Sequence, residues 1–231
     1  MLANSEIRKG SRPATVQRRR LIDAQHRRGH AKAAIWYGYS PKLRSDLIIS
    51  STLAWWHFLT LEADSALLSY RLDTTQQILC EHCNKAAHAE LIYLNHRVQC
   101  HTILRAGEEK PDLVCCESRG PSHVENRPEH KFVQEEELAK RYVELTNWSR
   151  IISWLASFRY HSLAQYREDI RHLVHGATAF RLGQLEDHYE EGNVAIARAA
   201  AFDLIRTGHI RADLTKRPIT RGLVLSVRDS K

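Results

Sequence analysis

The chain has 231 residues, 43% of them hydrophobic and 26% charged, which is enough apolar material for a core and too much for a disordered polymer. No apolar run reaches the ~18 residues of a membrane span, and no secretory-type apolar stretch opens the chain. The net charge is +7, and the five cysteines all lie between positions 80 and 116, an odd cluster unlike a secreted disulfide framework. A reducing compartment follows as the expectation: cytoplasmic and nucleoid-associated, with no membrane partner.

The charge is concentrated at one end. Residues 1–45 carry eleven lysines and arginines, among them Arg18, Arg19, Arg20, Arg27, Arg28, Lys42 and Arg44, against Glu6 and Asp23. Such a segment attracts a polyanion and releases its counterions, so DNA is the expected partner. Residues 1–39 read as a basic arm, and the Pro41 region reads as a turn.

Beyond the arm, residues 46–61 crowd Leu47, Ile48, Leu53, Trp55, Trp56, Phe58 and Leu59 onto more than one face, which predicts a buried helix. Residues 76–82, 89–94, 97–105 and 112–117 are rich in Ile, Leu, Val, Tyr and Cys between turn residues and predict strands. A further short strand is expected at 122–127, ended by Pro128. A helix is expected over 132–145 and a strand over 151–154. The elements of residues 40–160 thus predict an α/β domain.

From 162 to 231 the pattern changes. Helices are expected at 163–175, 182–189 and 194–207, with Gly208 as the stop of the third, then strands at 210–214 and 223–227. Three helices and a two-stranded ribbon is the winged-helix order. Such a unit either contacts DNA, with Arg198 of the third helix as a candidate, or docks a protein, and the sequence leaves both open.

The segment with the most chemical content joins Pro111-Asp112 to Glu125-Asn126-Arg127-Pro128, the pattern Asp-x(12)-Glu-x-Arg. Period two puts Glu125 and Arg127 on one face of their strand. Two carboxylates at a strand edge can hold Mg²⁺ or Mn²⁺ through oxygen, and the cation can activate water against a phosphate. Asp112 and Glu125 are the candidate metal ligands, and Arg127 the candidate charge stabiliser.

The flanks of this segment, from Ser40-Pro41-Lys42 through the helix ending in Leu61-Glu62-Ala63-Asp64 and on to Leu68-Ser69-Tyr70, resemble TnsA-type transposon endonucleases over about residues 40–150. The resemblance implies a restriction-endonuclease-like PD-(D/E)xK domain followed by the winged-helix-like unit. It also implies a heteromeric transposase that cuts DNA together with an integrase-type transposase and an AAA+ regulator. Two positions depart from the family pattern. Ala54 stands where the family's helix supplies a metal-binding glutamate, with Glu62 as the substitute if the alignment shifts, and Arg127 stands in place of the lysine. Alanine cannot ligate a cation and arginine does not give up its proton, so metal-dependent nicking is expected to be weak or lost.

A competing site comes from Cys80-x-x-Cys83 with Cys100 and His101, and His88 between them; four of these could hold tetrahedral zinc. That alternative describes a zinc-stabilised winged-helix DNA-binding regulator unrelated to transposition.

Overall fold

The computed structural model describes residues 34–72, 78–79, 86–110, 129–175 and 180–227, together with Arg19 and Asp23. The expected strands over 112–117 and 122–127 lie outside the described residues, as do Asp112, Glu125, Arg127, Cys80 and Cys83. What is described is a mixed α/β protein with a mixed sheet and six helices.

The first element starts inside the stretch that composition alone assigns to the basic arm. Strands β1 (Trp36–Ser40) and β2 (Ser45–Ile49) form an antiparallel hairpin whose turn closes at Arg44, in the left-handed region at φ 50°. Helix α1 (Thr52–Ala63) follows at once. The single helix expected over 46–61 is therefore a strand and a helix. The break comes from Ser50-Ser51, since Ser51 Oγ accepts the Ala54 amide and caps α1. Gly38 lets the two elements meet, because a Cβ there would sit 2.7 Å from Cζ3 of Trp55, whose ring stacks on Trp36 at 5.3 Å.

Strand β3 (Leu67–Leu72) leads to a two-residue ribbon of β4 (Ile78–Leu79) and β5 (Ala86–Ala87), then β6 (Ala89–Tyr93), β7 (Val98–Leu104) and β8 (Glu129–Gln134). The central sheet has the order β3-β6-β7-β8; its first three strands are antiparallel, and β8 runs parallel to β7 with Lys131 opposite His101. Helix α1 lies on one face, where Phe58, Leu59 and Leu61 join Tyr70, Ala89 and Leu91 in the main core. On the other face Cys100 packs with Ile78 and Ala87 of the ribbon.

The helix expected over 132–145 opens instead as β8, whose residues alternate between exposed and buried until Val133, and turns helical at α2 (Glu135–Lys140). Helix α3 (Tyr142–Ser157) then replaces the strand expected over 151–154. Leu145, Trp148, Ile151, Ile152 and Leu155 recur at helical spacing and bury one stripe, so Ile151 and Ile152 belong to a helix face and not to a short strand.

The C-terminal expectations fare better. Helices α4 (Ala164–His175), α5 (Leu182–His188) and α6 (Val194–Arg206) match the expected positions, as do β10 (Ile210–Arg211) and β11 (Val224–Val227). A strand missing from the sequence reading, β9 (Phe180–Arg181), completes a three-stranded antiparallel sheet in the order β10-β11-β9. Gly208 ends α6 at φ 76°, with its amide on the Ile205 carbonyl and the His209 amide on Leu204.

One core runs through both parts of the chain, from Ile49 of the hairpin to Leu225 of the last strand. Helix α3 joins them. Its buried Asn147 donates to the carbonyls of Leu214 and Arg217 and accepts the Ile219 amide, so it fixes the loop between β10 and β11. No helix among the described residues is long and apolar enough to cross a membrane.

Candidate site at the helix–sheet junction

The first turn of α1 lies over β7 and the start of β6. Ala54, where the resemblance leads one to expect a glutamate, lines a cavity of about 40 Å³ with His57, His88, Leu72 and Ile103. Among the described residues no carboxylate borders it. One turn along α1, His57 is buried and its Nε2 sits 3.0 Å from Nδ1 of His101 on β7. His101 Nε2 faces Gln99 Oε1 at 3.2 Å, and that oxygen also accepts Tyr93 OH at 2.9 Å. Gln99 Nε2 donates to Glu129 Oε2 at 2.8 Å, and Arg97 pairs with the same carboxylate.

The chain of bonds determines the tautomers. The Gln99 oxygen is an acceptor because its amide nitrogen is committed to Glu129, so His101 carries its proton on Nε2. Nδ1 of His101 is then the acceptor, and His57 must donate through Nε2–H. Both rings are neutral. Burial pushes the His101 pKa from 6.5 down to about 4, helped by the nearby Lys131 and His130 charges and opposed by Glu129. Burial likewise drives His57 well below 6.5, with His101, His88 and Lys131 adding to the effect.

His101 also borders a polar cleft of about 660 Å³ between the sheet and the loop after α6, whose walls include Tyr93, Lys131, Arg141, Arg211 and Asp213. This is the solvent side of the histidine pair. Each ring nitrogen of His101 already has a partner, so the pair acts as a link between helix and sheet and offers no free base.

Glu62 cannot substitute for Ala54. It is fully buried two turns further along α1, where its Oε1 accepts Ser40 Oγ and Tyr70 OH, each at 2.5 Å. Mg²⁺ and Mn²⁺ favour carboxylate and other oxygen ligands, and the described side chains around Ala54 present imidazole nitrogen, aliphatic carbon and the single hydroxyl of Ser50, with no carboxylate. That donor set does not fit the cation the family resemblance implies. Among the described residues, no three His, Cys, Asp or Glu are grouped to hold a metal.

The zinc set is divided by the strand itself. Neighbouring residues on β7 point to opposite faces, so Cys100 is buried against the β4–β5 ribbon while His101 faces α1. The two cannot approach one ion from regular strand geometry.

The basic candidates also separate. Arg19 is exposed, and Arg18, Arg20, Arg27 and Arg28 lie outside the described residues. Lys42 donates to the carbonyls of Asp64 and Leu67 at 2.7 and 3.1 Å and so closes the C-terminal end of α1. Arg198 is held by Glu186 and lies 4.7 Å over the Trp154 ring. Arg44, at the hairpin turn, is exposed and has no carboxylate partner among the described residues. Sequence reasoning missed His57, Gln99 and Tyr93, because nothing local distinguishes them from other surface-prone polar residues.

No family model matches the chain, and no curated protein is significantly similar to it.

Proposed function

We propose that the chain is a TnsA-like subunit of a heteromeric transposition machine, which binds transposon-end DNA and partner subunits and whose metal-dependent nicking is weak or lost. Its partners on this reading are an integrase-type transposase and an AAA+ regulator, and its place is at the nucleoid. Ala54 is the observation that carries it. In this chain the position of the missing glutamate lies on a helix crossing a four-stranded mixed sheet, at a cavity bordered by histidines and aliphatic groups. A restriction-endonuclease-like ancestry accounts for that arrangement, with a neutral imidazole link in place of a cation site.

The C-terminal unit supports the docking half of the reading. Its helix and strand order is compatible with a winged helix, but no residue of α6 is exposed. A helix packed against α3, α4 and α5, with only its first turn, Arg198 and Arg206 partly accessible, has no open face to lay in a major groove. Protein docking therefore suits this unit better than base reading, and DNA contact falls to the basic surfaces elsewhere.

Supercoiled plasmid incubated with the purified full chain and Mg²⁺ or Mn²⁺ tests both halves. The expected result is a mobility shift of DNA without open-circular product above the buffer control. Nicking by the wild type that disappears in Asp112→Ala overturns the loss of activity. Failure to shift any DNA at low salt overturns the DNA-binding reading.

A further inference from the structure

A second basic feature lies away from the histidine pair. Between the β1–β2 turn, the end of α3 and helices α4 and α6 is a cavity of about 330 Å³ bordered by Arg44, Arg159, Arg167 and Arg206, with Tyr39 and Phe158 among its walls. Among the described residues, Asp203 is the only carboxylate in that lining. The four arginines come from four elements or their ends, so no sequence window contains the cluster.

Arg159, Arg167 and Arg206 are held in place by carboxylates, and the charge of the four arginines exceeds what those partners neutralise. Asp203 is nearly buried and splits its carboxylate, with Oδ2 on Arg167 at 2.9 Å and Oδ1 on Arg206 at 2.7 Å. Arg159 reaches Asp46 at 2.6 Å, and its guanidinium lies between the Tyr39 and Tyr160 rings at 5.3 and 4.9 Å. Tyr160 is 87% exposed, so its outer face is open. Arg44 has no carboxylate partner among the described residues, and Nε of Arg167 is buried without any acceptor among them. Among the described residues two carboxylates thus serve three of the four guanidinium groups, Arg44 is left over, and a buried donor remains unmet. A tetrahedral oxyanion meets the charge excess, because guanidinium matches phosphate oxygens with paired donors and both Arg44 and the Arg167 side chain have accessible surface.

We propose that this cavity is a phosphate clamp for the DNA backbone, with Arg44 and Arg167 as the contacting donors and Arg159 and Arg206 setting the field. The inference rests on the DNA-binding half of the proposed function and adds a location to it. A cavity of this size takes a phosphodiester and its neighbouring sugar rather than a duplex, so the duplex lies across its mouth and presents one strand's phosphates. The Tyr39 and Tyr160 rings hold Arg159 in orientation.

Fluorescence anisotropy with a short labelled duplex, run on the full chain over a salt series, tests the clamp. Arg44→Asn tolerates the left-handed backbone at that turn, and Arg167→Gln retains a donor for Asp203; melting curves show that both variants are folded. Each is expected to weaken binding roughly three- to tenfold and to lower the slope of log affinity against log salt by about one. A triple Arg18, Arg19 and Arg20 to Ala variant reports the arm separately. If the wild type binds DNA but both clamp variants bind with unchanged affinity and slope, the clamp is wrong and the DNA-binding reading survives. Weaker binding with an unchanged slope also overturns the clamp, since neither arginine then pairs with a phosphate. If the wild type binds no DNA at all, the proposed function itself falls. A clamp for an acidic protein partner gives the first of these outcomes.

Discussion

His57 Nε2 and His101 Nδ1 lie 3.0 Å apart in the interior, joining α1 to the central sheet through two uncharged imidazoles. Their bond needs a lone pair on His101 Nδ1, and protonation removes it. Sign follows from the direction of the shift. The unfolded His101 titrates near 6.5 and the folded one near 4, so between those values the unfolded chain binds more protons. Stability is therefore full above pH 6.5 and is lost as pH falls toward 4, by about 3 kcal/mol from His101. Denaturant unfolding at closely spaced pH values should show this decline, and His101→Gln should make it shallower, with the buried His57 supplying what remains. A wild-type curve level across that window contradicts the neutral pair.

Asn147 carries a different kind of link, a buried amide satisfied at three points by the loop after β10. Asn147→Asp keeps the size but removes both donors, leaving the carbonyls of Leu214 and Arg217 facing a carboxylate. Buried polar groups left unmatched cost about 1–3 kcal/mol each, so a loss of several kcal/mol is expected. Asn147→Leu should cost less than Asn147→Asp, since it buries no charge. Melting temperatures of the two variants, compared in that order, check the argument.

These two links show where the sequence was legible and where it was not. Helices α4, α5 and α6 and the stop at Gly208 carry local signals, apolar spacing and a left-handed glycine, and they were readable. Ile151 and Ile152 misled because two adjacent branched residues look like a strand, and only the longer stripe from Leu145 to Leu155 reveals α3. Ser51 is a cap in plain sight, outweighed in the reading by the apolar run on either side of it. The pairing of His57 with His101 spans 44 positions and depends on how α1 crosses β7. No window of sequence contains that information. The four arginines around the phosphate cavity were hidden for the same reason.

Tyr70 and Ser40 both donate to Oε1 of the buried Glu62, and Tyr70 OH also lies 2.9 Å from Ser40 Oγ. Burial and the adjacent carboxylate push the Tyr70 pKa far above its ordinary value, so the phenol remains a donor at any working pH. Tyr70→Phe and Ser40→Ala should each destabilise by about 1–3 kcal/mol. The double variant should depart from the sum of the two, because all three groups share one network. A double-mutant cycle in urea measures the coupling, and strict additivity contradicts the network.

Gly38 is a steric requirement. A methyl group there would fall 2.7 and 2.8 Å from two carbons of the Trp55 ring, which is itself stacked on Trp36 and meets Phe58 at a tilt. Trp55 is buried, so the ring can yield only by disturbing these neighbours. Gly38→Ala should cost about 1–3 kcal/mol, the range for overpacking, and should change the near-ultraviolet dichroism of the stacked indoles. An unchanged spectrum with unchanged stability would mean that the hairpin does not press on α1 as described.

Ala54 offers the test of ancestry. In the family the matching helix position supplies a glutamate, and here the neighbouring His57 has no carboxylate beside it among the described lining residues. Ala54→Glu alone brings a carboxylate against a neutral buried imidazole in a cavity of about 40 Å³. The expected consequence is lower stability, together with a His57 more easily protonated because an opposite charge now faces it. Combining Ala54→Glu with Arg127→Lys supplies the two groups that the resemblance expects beside Asp112 and Glu125. If the chain descends from a metal-dependent nuclease, the double variant should nick supercoiled plasmid with Mg²⁺ or Mn²⁺ above the wild-type level, and adding Asp112→Ala should abolish that gain. A folded double variant that binds DNA and still does not nick argues that the resemblance at residues 40–150 is one of pattern and not of chemistry.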